Sequence, residues 1–153
     1  MTLQEEKQQM RIKKLKENAI VPTRGSRYSA GYDLYACLDE EKVEIPAHTT
    51  YMVDIGWAME IRKGHFGAIF ARSGIASKQG LRPANCVGVI DSDYRGPVKV
   101  ALHNDSNDVQ VITNGERIAQ LIVMDYSFVS EFEVVDELED TDRGEGGFGS
   151  TGK

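Results

Sequence analysis

Apolar residues recur at every second position in short runs separated by turn residues, and this leaves little but β-structure open to the chain. In Thr50–Ile55, the side chains of Tyr51, Val53 and Ile55 fall on one face. In Pro97–Asn104, those of Val98, Val100 and Leu102 do the same. Val109–Ile112, Ile118–Met124 and Phe128–Val135 are further strand candidates. Lys63-Gly64, Asn104-Asp105, Ser106-Asn107 and Asn114-Gly115 supply turn signals between them. Many short strands at close spacing predict an all-β subunit, a jelly-roll-like β-barrel or sandwich. One short internal helix is expected at Ser73–Gln79, with Gly80 to stop it.

At 153 residues the chain has the size of one domain, large enough to bury a core without staples. No repeat and no second domain is visible. The polar residues 1–9 predict a frayed end or a short helix, within an N-terminal extension over 1–20 that is partly mobile. The β-domain spans 21–142, and 143–153 form a Gly-rich arm. Cys37 and Cys86 are too few for a disulfide framework and read as two buried free thiols. No apolar run approaches the roughly 18 residues of a membrane span, and the first 20 residues hold no apolar signal core. A soluble, cytoplasmic protein is expected.

The net charge of −6 argues against a protein that binds duplex nucleic acid. It leaves open an anionic small ligand, because a few placed arginines and backbone amides hold a phosphate group. A polyphosphate would need a divalent cation to offset its crowded charge.

The last eleven residues read Arg-Gly-Glu-Gly-Gly-Phe-Gly-Ser-Thr-Gly-Lys. Two well-known patterns occur there by accident. Gly144, Gly146 and Gly149 match G-x-G-x-x-G, and Gly147, Gly152 and Lys153 match G-x-x-x-x-G-K. A dinucleotide fingerprint must open a helix in a βαβ unit, and a P-loop needs Ser or Thr and then a helix, so neither reading holds. A plain disordered tail is one reading. The other keeps the chemistry: bare amides, the Ser150 and Thr151 hydroxyls, and the charges of Arg143 and Lys153 suit a polyphosphate. Phe148, alone among glycines, could stack on a planar ring.

Arg72-Ser73-Gly74 opens the expected helix. Ser73 is a natural N-cap, and the same placement converges amides, a hydroxyl and a guanidinium on an anion. Gly88 to Gly96 reads Gly-Val-Ile-Asp-Ser-Asp-Tyr-Arg-Gly, a polar turn between apolar strands. Asp93 reads as a turn residue. Asp91 directly follows Val89-Ile90, so it is expected to be partly buried at a strand end and to serve as a general base. Tyr94 offers a flat ring for a sugar face. Asp33 enters an apolar strand in Ala30-Gly31-Tyr32-Asp33-Leu34, and Gln120 lies within another, where its amide must find partners. His48, His65 and His103 have no ligand spacing and read as scattered structural or surface residues.

Ala30–Leu34, Ala71–Gly74, Gly88–Gly96, Gly115–Leu121 and Arg143–Gly152 together resemble the five motifs of the trimeric dUTPase family, in the family's order. The likeness runs from about Pro22 to the C-terminus; Ile75 and Glu145 fall where the family varies. It implies hydrolysis of dUTP to dUMP and pyrophosphate, which keeps uracil out of DNA and supplies dUMP for dTMP synthesis. It implies a homotrimer with three active sites, each assembled from all three chains. Asp91 would deprotonate the water that attacks the α-phosphorus. Tyr94 would pack under the deoxyribose and leave no room for a 2′-hydroxyl. Asn85 and the 86–99 hairpin, with Gly88, Ile90 and Lys99, would hold the uracil and sugar. Arg72, Ser73, Gly74 and Gln120 would hold phosphate oxygens. The arm would close over a neighbour's site, with Phe148 over the uracil, Arg143, Ser150 and Thr151 on the phosphates, and Gly149 also at the substrate. Mg²⁺ would bind through the triphosphate, with Asp33 reached through water. The related dCTP deaminases would need a catalytic Glu and another base pocket, a motif set not seen here. A non-catalytic partner-binding use of the fold fits the complete motif set poorly.

Overall fold

A computed structural model describes residues 9–149. In chain order the elements are β1 (Arg11–Lys14), β2 (Tyr32–Tyr35), β3 (Lys42–Ile45), β4 (Thr50–Asp54), β5 (Trp57–Glu60) and β6 (His65–Ala71). They continue with α1 (Ser73–Gln79), β7 (Leu81–Pro83), β8 (Gly88–Ile90), β9 (Lys99–Asn104), β10 (Gln110–Thr113) and β11 (Arg117–Asp125). All strand pairs are antiparallel. The largest sheet has the order β2-β11-β6-β8 and a second has β4-β9-β7. The pairs β1-β5 and β10-β3 complete the fold.

The expected alternation holds where it is sharpest. Val98, Val100 and Leu102 are all buried, as are Val53 and Ile55 opposite them; Tyr51, at the start of β4, is exposed. Leu34, Ile45, Leu81, Ile112, Ile118 and Leu121 close the same core. Asn104 continues the buried row of β9 with a polar side chain. Its Nδ2 donates to the carbonyls of Ile45 and Asp108 at 2.9 and 2.8 Å. Its Oδ1 accepts from the Ser106 amide and hydroxyl at 2.9 and 2.7 Å. Each of these groups left unpaired would cost about 1–3 kcal/mol, which is why the turn after β9 tolerates a buried amide.

The expected helix forms over Ser73–Gln79, and Gly80 ends it in the left-handed region at φ 68°. Arg72, not Ser73, holds the N-cap position in extended geometry, with no side-chain cap bond. Ser73 is instead the first helical residue, and it is exposed.

Three further expectations change. Phe128–Val135 forms no strand and pairs with no described segment of this chain. Residues 11–20, read as part of an extension, belong to the packed body. β1 pairs with β5, Ala19 joins the core, and the Trp57 indole donates to the Ile20 carbonyl at 2.9 Å. Cys86 is exposed, in a turn at φ 62°, while Cys37 is buried. Cys37 donates its thiol hydrogen to Asn18 Oδ1 at 3.1 Å, and burial pushes the thiol above its ordinary range. Iodoacetamide should therefore label Cys86 alone in the native protein and both thiols in denaturant. Native labelling of Cys37 would contradict this packing.

Candidate active site

A cleft of about 390 Å³ opens beside the 85–99 hairpin. Asn85, Gly88, Ile90, Asp91, Tyr94 and Lys99, all expected at a nucleotide, line it. Met52, Ile69, Val89, Pro97 and Val98 supply apolar walls that no motif announced. The hairpin is held there by β8, whose Gly88, Val89 and Ile90 pair with Ile69, Ala68 and Gly67 of β6. On its return the chain is pinned to β5, where the Val98 amide donates to the Trp57 carbonyl at 2.9 Å.

The turn between these anchors holds Asp91 and Tyr94. The Tyr94 amide donates to the Asp91 carbonyl at 3.1 Å. The Arg95 guanidinium braces the turn by donating to the carbonyls of Ser92 and Tyr94 at 2.7 and 3.1 Å. Tyr94 donates its hydroxyl to the Pro97 carbonyl at 3.0 Å, so its ring lies across Gly96. A Cβ at Gly96 would fall 2.5 Å from the Tyr94 hydroxyl oxygen and 2.7 Å from the ring carbon that bears it. Only glycine lets the ring rest there. Asp91 stands at the end of β8 as expected, but it is exposed rather than partly buried. β8 is the edge of its sheet, so no strand of this chain covers that side.

A second group gathers on another part of the same sheet. Asp33 of β2 lies opposite Gln120 of β11, which lies opposite Phe70 of β6. Arg72 donates its Nε to Asp33 Oδ1 at 2.9 Å and its Nη1 to the Arg117 carbonyl at 3.2 Å. Arg117 donates its Nη1 to Asp33 Oδ2 at 3.4 Å. Gln120 donates its Nε2 to the Ala71 carbonyl at 2.9 Å, just ahead of Arg72 and Ser73. Its amide crosses the backbone at Gly31, where any side chain would collide with the Gln120 oxygen. Ser73 and Gly74 are exposed beside this group. A Cβ on Gly74 would meet nothing within 4 Å, so the chain's own packing does not demand glycine there. Arg117 escaped notice in the sequence, although it stands three residues before Gln120.

Asp33, Arg72, Ser73, Gly74 and Gln120 do not line the cleft. The described part of the arm, residues 143–149, lines neither group. Arg143 donates to the Gly146 carbonyl at 2.8 Å, within the arm itself. Phe148 is exposed at φ 49°, and Gly149 is exposed at φ 82°. Ser150 and Thr151 lie outside the described residues.

Among the described residues no three His, Cys, Asp or Glu side chains gather closely enough to share a metal ion. Both oxygens of Asp33 already face guanidinium groups. This donor set does not suit a metal held directly by side chains. It fits a cation carried in on phosphates and met at Asp33 only through water.

The dUTPase family model matches residues 17–152. The deoxyuridine 5′-triphosphate nucleotidohydrolase of Yarrowia lipolytica is 50% identical over 145 residues, covering 94% of this chain and 88% of that protein. The protein of the same name from Debaryomyces hansenii is 44% identical over 151 residues, covering 98% of this chain and 91% of that one. Among solved structures, a variant of the Staphylococcus bacteriophage 80alpha dUTPase with dUpNHpp superposes with a TM-score of 0.84 at 28% identity, covering 95% of this chain and 99% of that one. Five motif segments, a cleft on the third and a phosphate-suited cluster on the first, second and fourth agree with these likenesses: the chain belongs to the dUTPase family.

Proposed function

We infer that this protein hydrolyses dUTP to dUMP and pyrophosphate, and that Asp91 activates the water. The observation that carries this reading is the cleft in which Asp91, Tyr94 and Asn85 converge on one braced hairpin. Asn85 and the hairpin backbone read the uracil edge, with Gly88 and Ile90 at the base and Lys99 at the rim. Tyr94, fixed by Pro97 and Gly96, supports the deoxyribose and leaves no space for a 2′-hydroxyl. The Asp91 carboxylate accepts a proton from water as the water oxygen bonds to the α-phosphorus. The bond from that phosphorus to the bridging oxygen breaks, and pyrophosphate leaves.

Arg72, Ser73, Gly74 and Gln120 offer a guanidinium, a hydroxyl, a bare helix start and an amide to phosphate oxygens. Mg²⁺ on the triphosphate would neutralise its charge, with Asp33 as an outer partner through water. Positioning and charge neutralisation are the main demands of such a cleavage.

The working unit is a homotrimer whose sites are shared between chains. The separation of the Asp91 cleft from the Arg72 cluster supports this, because one nucleotide must meet both. So does the segment after β11. Phe128, Phe132, Val134 and Leu138 are each more than three-quarters exposed, and no described residue covers them. Covering each would gain about 1.5–3 kcal/mol, which fits a segment laid on a neighbouring subunit. The arm beyond it would then bring Arg143, Phe148, Gly149, Ser150 and Thr151 over a neighbour's nucleotide. No described helix is long and apolar enough to cross a membrane. A cytoplasmic site of action completes the reading, with dUTP as ligand and no nucleic acid or membrane partner.

Pyrophosphate release across dUTP, dTTP, dCTP and UTP should show turnover of dUTP alone. Comparable turnover of dCTP or UTP would refute the pocket assignment. Asp91→Asn should retain dUTP binding and lose about 10²- to 10⁴-fold in kcat, since Asn cannot take the proton. Near wild-type kcat would remove Asp91 from its role. Gly96→Ala should push the Tyr94 ring into the cleft and lower kcat/KM by about 10- to 100-fold at nearly unchanged thermal stability. An unaffected kcat/KM would show that the ring does not touch the sugar.

A further inference from the structure

We propose that Arg117 is a positioning residue for the phosphate-binding guanidinium of Arg72, acting through Asp33. This inference rests on the reading of Arg72 as a phosphate ligand.

A bulge in β11 creates the arrangement. Gln120 pairs with Asp33 and Ala119 with Leu34, but Arg117 pairs with Tyr35, so Ile118 is an extra residue against β2. Ile118 and Ala119 are consecutive and both fully buried, which an unbroken strand would not allow. The extra residue resets the alternation. Asp33 and Tyr35 share one face of β2, so their partners Gln120 and Arg117 share that face as well. Without the bulge, Arg117 would turn to the opposite side.

Its guanidinium therefore meets Asp33 Oδ2, while Arg72 occupies Oδ1. One carboxylate stands between two guanidinium groups, and the cluster keeps a net positive charge. That surplus matters for a ligand as anionic as a nucleoside triphosphate. Alone with Arg72, Asp33 would cancel the charge that Arg72 must present. With Arg117 on its other oxygen, Asp33 orients Arg72 without neutralising the site. Arg72 spends Nε on Asp33 and Nη1 on the Arg117 carbonyl. Its Nη2 makes no protein hydrogen bond among the described residues, leaving that corner for a phosphate oxygen. Arg117 thus holds Arg72 twice, by its side chain through Asp33 and directly by its backbone carbonyl. Half of the Arg117 side chain is exposed, against 24% for Arg72 and 15% for Asp33, so Arg117 is the outermost member.

The test is steady-state kinetics with dUTP on Arg117→Ala, Arg117→Lys, Asp33→Asn, the Asp33→Asn/Arg117→Ala double variant, and Arg72→Ala. Arg117→Ala should raise KM about ten-fold with kcat within about two-fold, and Lys should restore most of the loss. Thermal midpoints of the Arg117 variants should stay near wild type, because exposed ion pairs add little stability. In the Asp33→Asn background, Arg117→Ala should add less than about two-fold, the non-additivity expected of residues that act through one another. A KM for Arg117→Ala within two-fold of wild type overturns the proposal. So does a full ten-fold effect in the Asp33→Asn background, which would place Arg117 directly on the ligand. If Arg72→Ala itself leaves KM and kcat unchanged, the phosphate reading of Arg72 fails and the proposal falls with it. If Arg72→Ala is impaired and Arg117→Ala is not, only the positioning role fails.

Discussion

Strand β11 is hydrogen-bonded along both edges, to β2 on one side and β6 on the other, and the placement of Asp33, Arg72, Arg117 and Gln120 depends on it. Nine residues long, it is the longest strand among those described. Its inner face sends Ile118, Ala119 and Leu121 into the core, so its register cannot slip without exposing them. That register sets Asp33 beside Gln120 and brings the end of β6, with Arg72 just beyond it, to the same end of the sheet. Arg72 and Asp33 are 39 positions apart in the chain, and only the pairing through β11 makes them neighbours. The same sheet ends at β8, whose outer edge has no partner in this chain, and the hairpin that follows carries Asp91 and Tyr94. One sheet therefore positions two sets of reactive groups, at β2 and β8, on opposite edges.

How much of this was legible in the sequence depended on whether the determining partner was local. Val98, Val100 and Leu102 announced their face because a strand buried on one side must alternate. The helix at Ser73–Gln79 was legible because Gly80 ends it by a local rule. Asp91 and Tyr94 were legible from the polar turn between apolar strands, whereas Asn85, Gly88, Ile90 and Lys99 entered only with the family resemblance. Phe128–Val135 has strand composition, but a strand is a relation between two segments, and no described segment pairs with it. The position of Ser73 turned on one residue of cap geometry, which composition does not resolve. Cys86 was expected to be buried because free cysteines usually are, yet it sits exposed in a turn at positive φ. Arg117 was missed for a different reason. An Arg in a strand reads as a solvent-facing charge, and the bulge that aims it at Asp33 leaves no mark that periodicity detects.

Charge explains how a chain of net −6 can serve so anionic a ligand. Seven of the 24 acidic residues, and no Lys or Arg, fall in 131–142, far along the chain from Arg72 and Arg117, whose guanidinium groups meet at Asp33. Asp33 is the one carboxylate within that cluster, and it is shared between two arginines rather than balancing one. The cleft beside the hairpin is built the other way, from apolar walls with a few polar groups, which would suit an uncharged ring. These two environments do not form a continuous site within one chain. In the proposed homotrimer a second copy would bring them together, and the uncovered Phe128–Leu138 segment offers apolar surface for such an assembly.

The shared site can be tested by complementation. Asp91→Asn and Arg72→Ala chains, each inactive alone, would be unfolded, mixed in equal amounts and refolded together, and dUTP turnover measured. If Asp91 and Arg72 of one site come from different subunits, random assembly gives some sites an intact pair. Activity should then return to about a quarter of the wild-type value. If each chain builds its own complete site, no mixed oligomer contains an intact pair, and a mixture as inactive as its components would contradict the account.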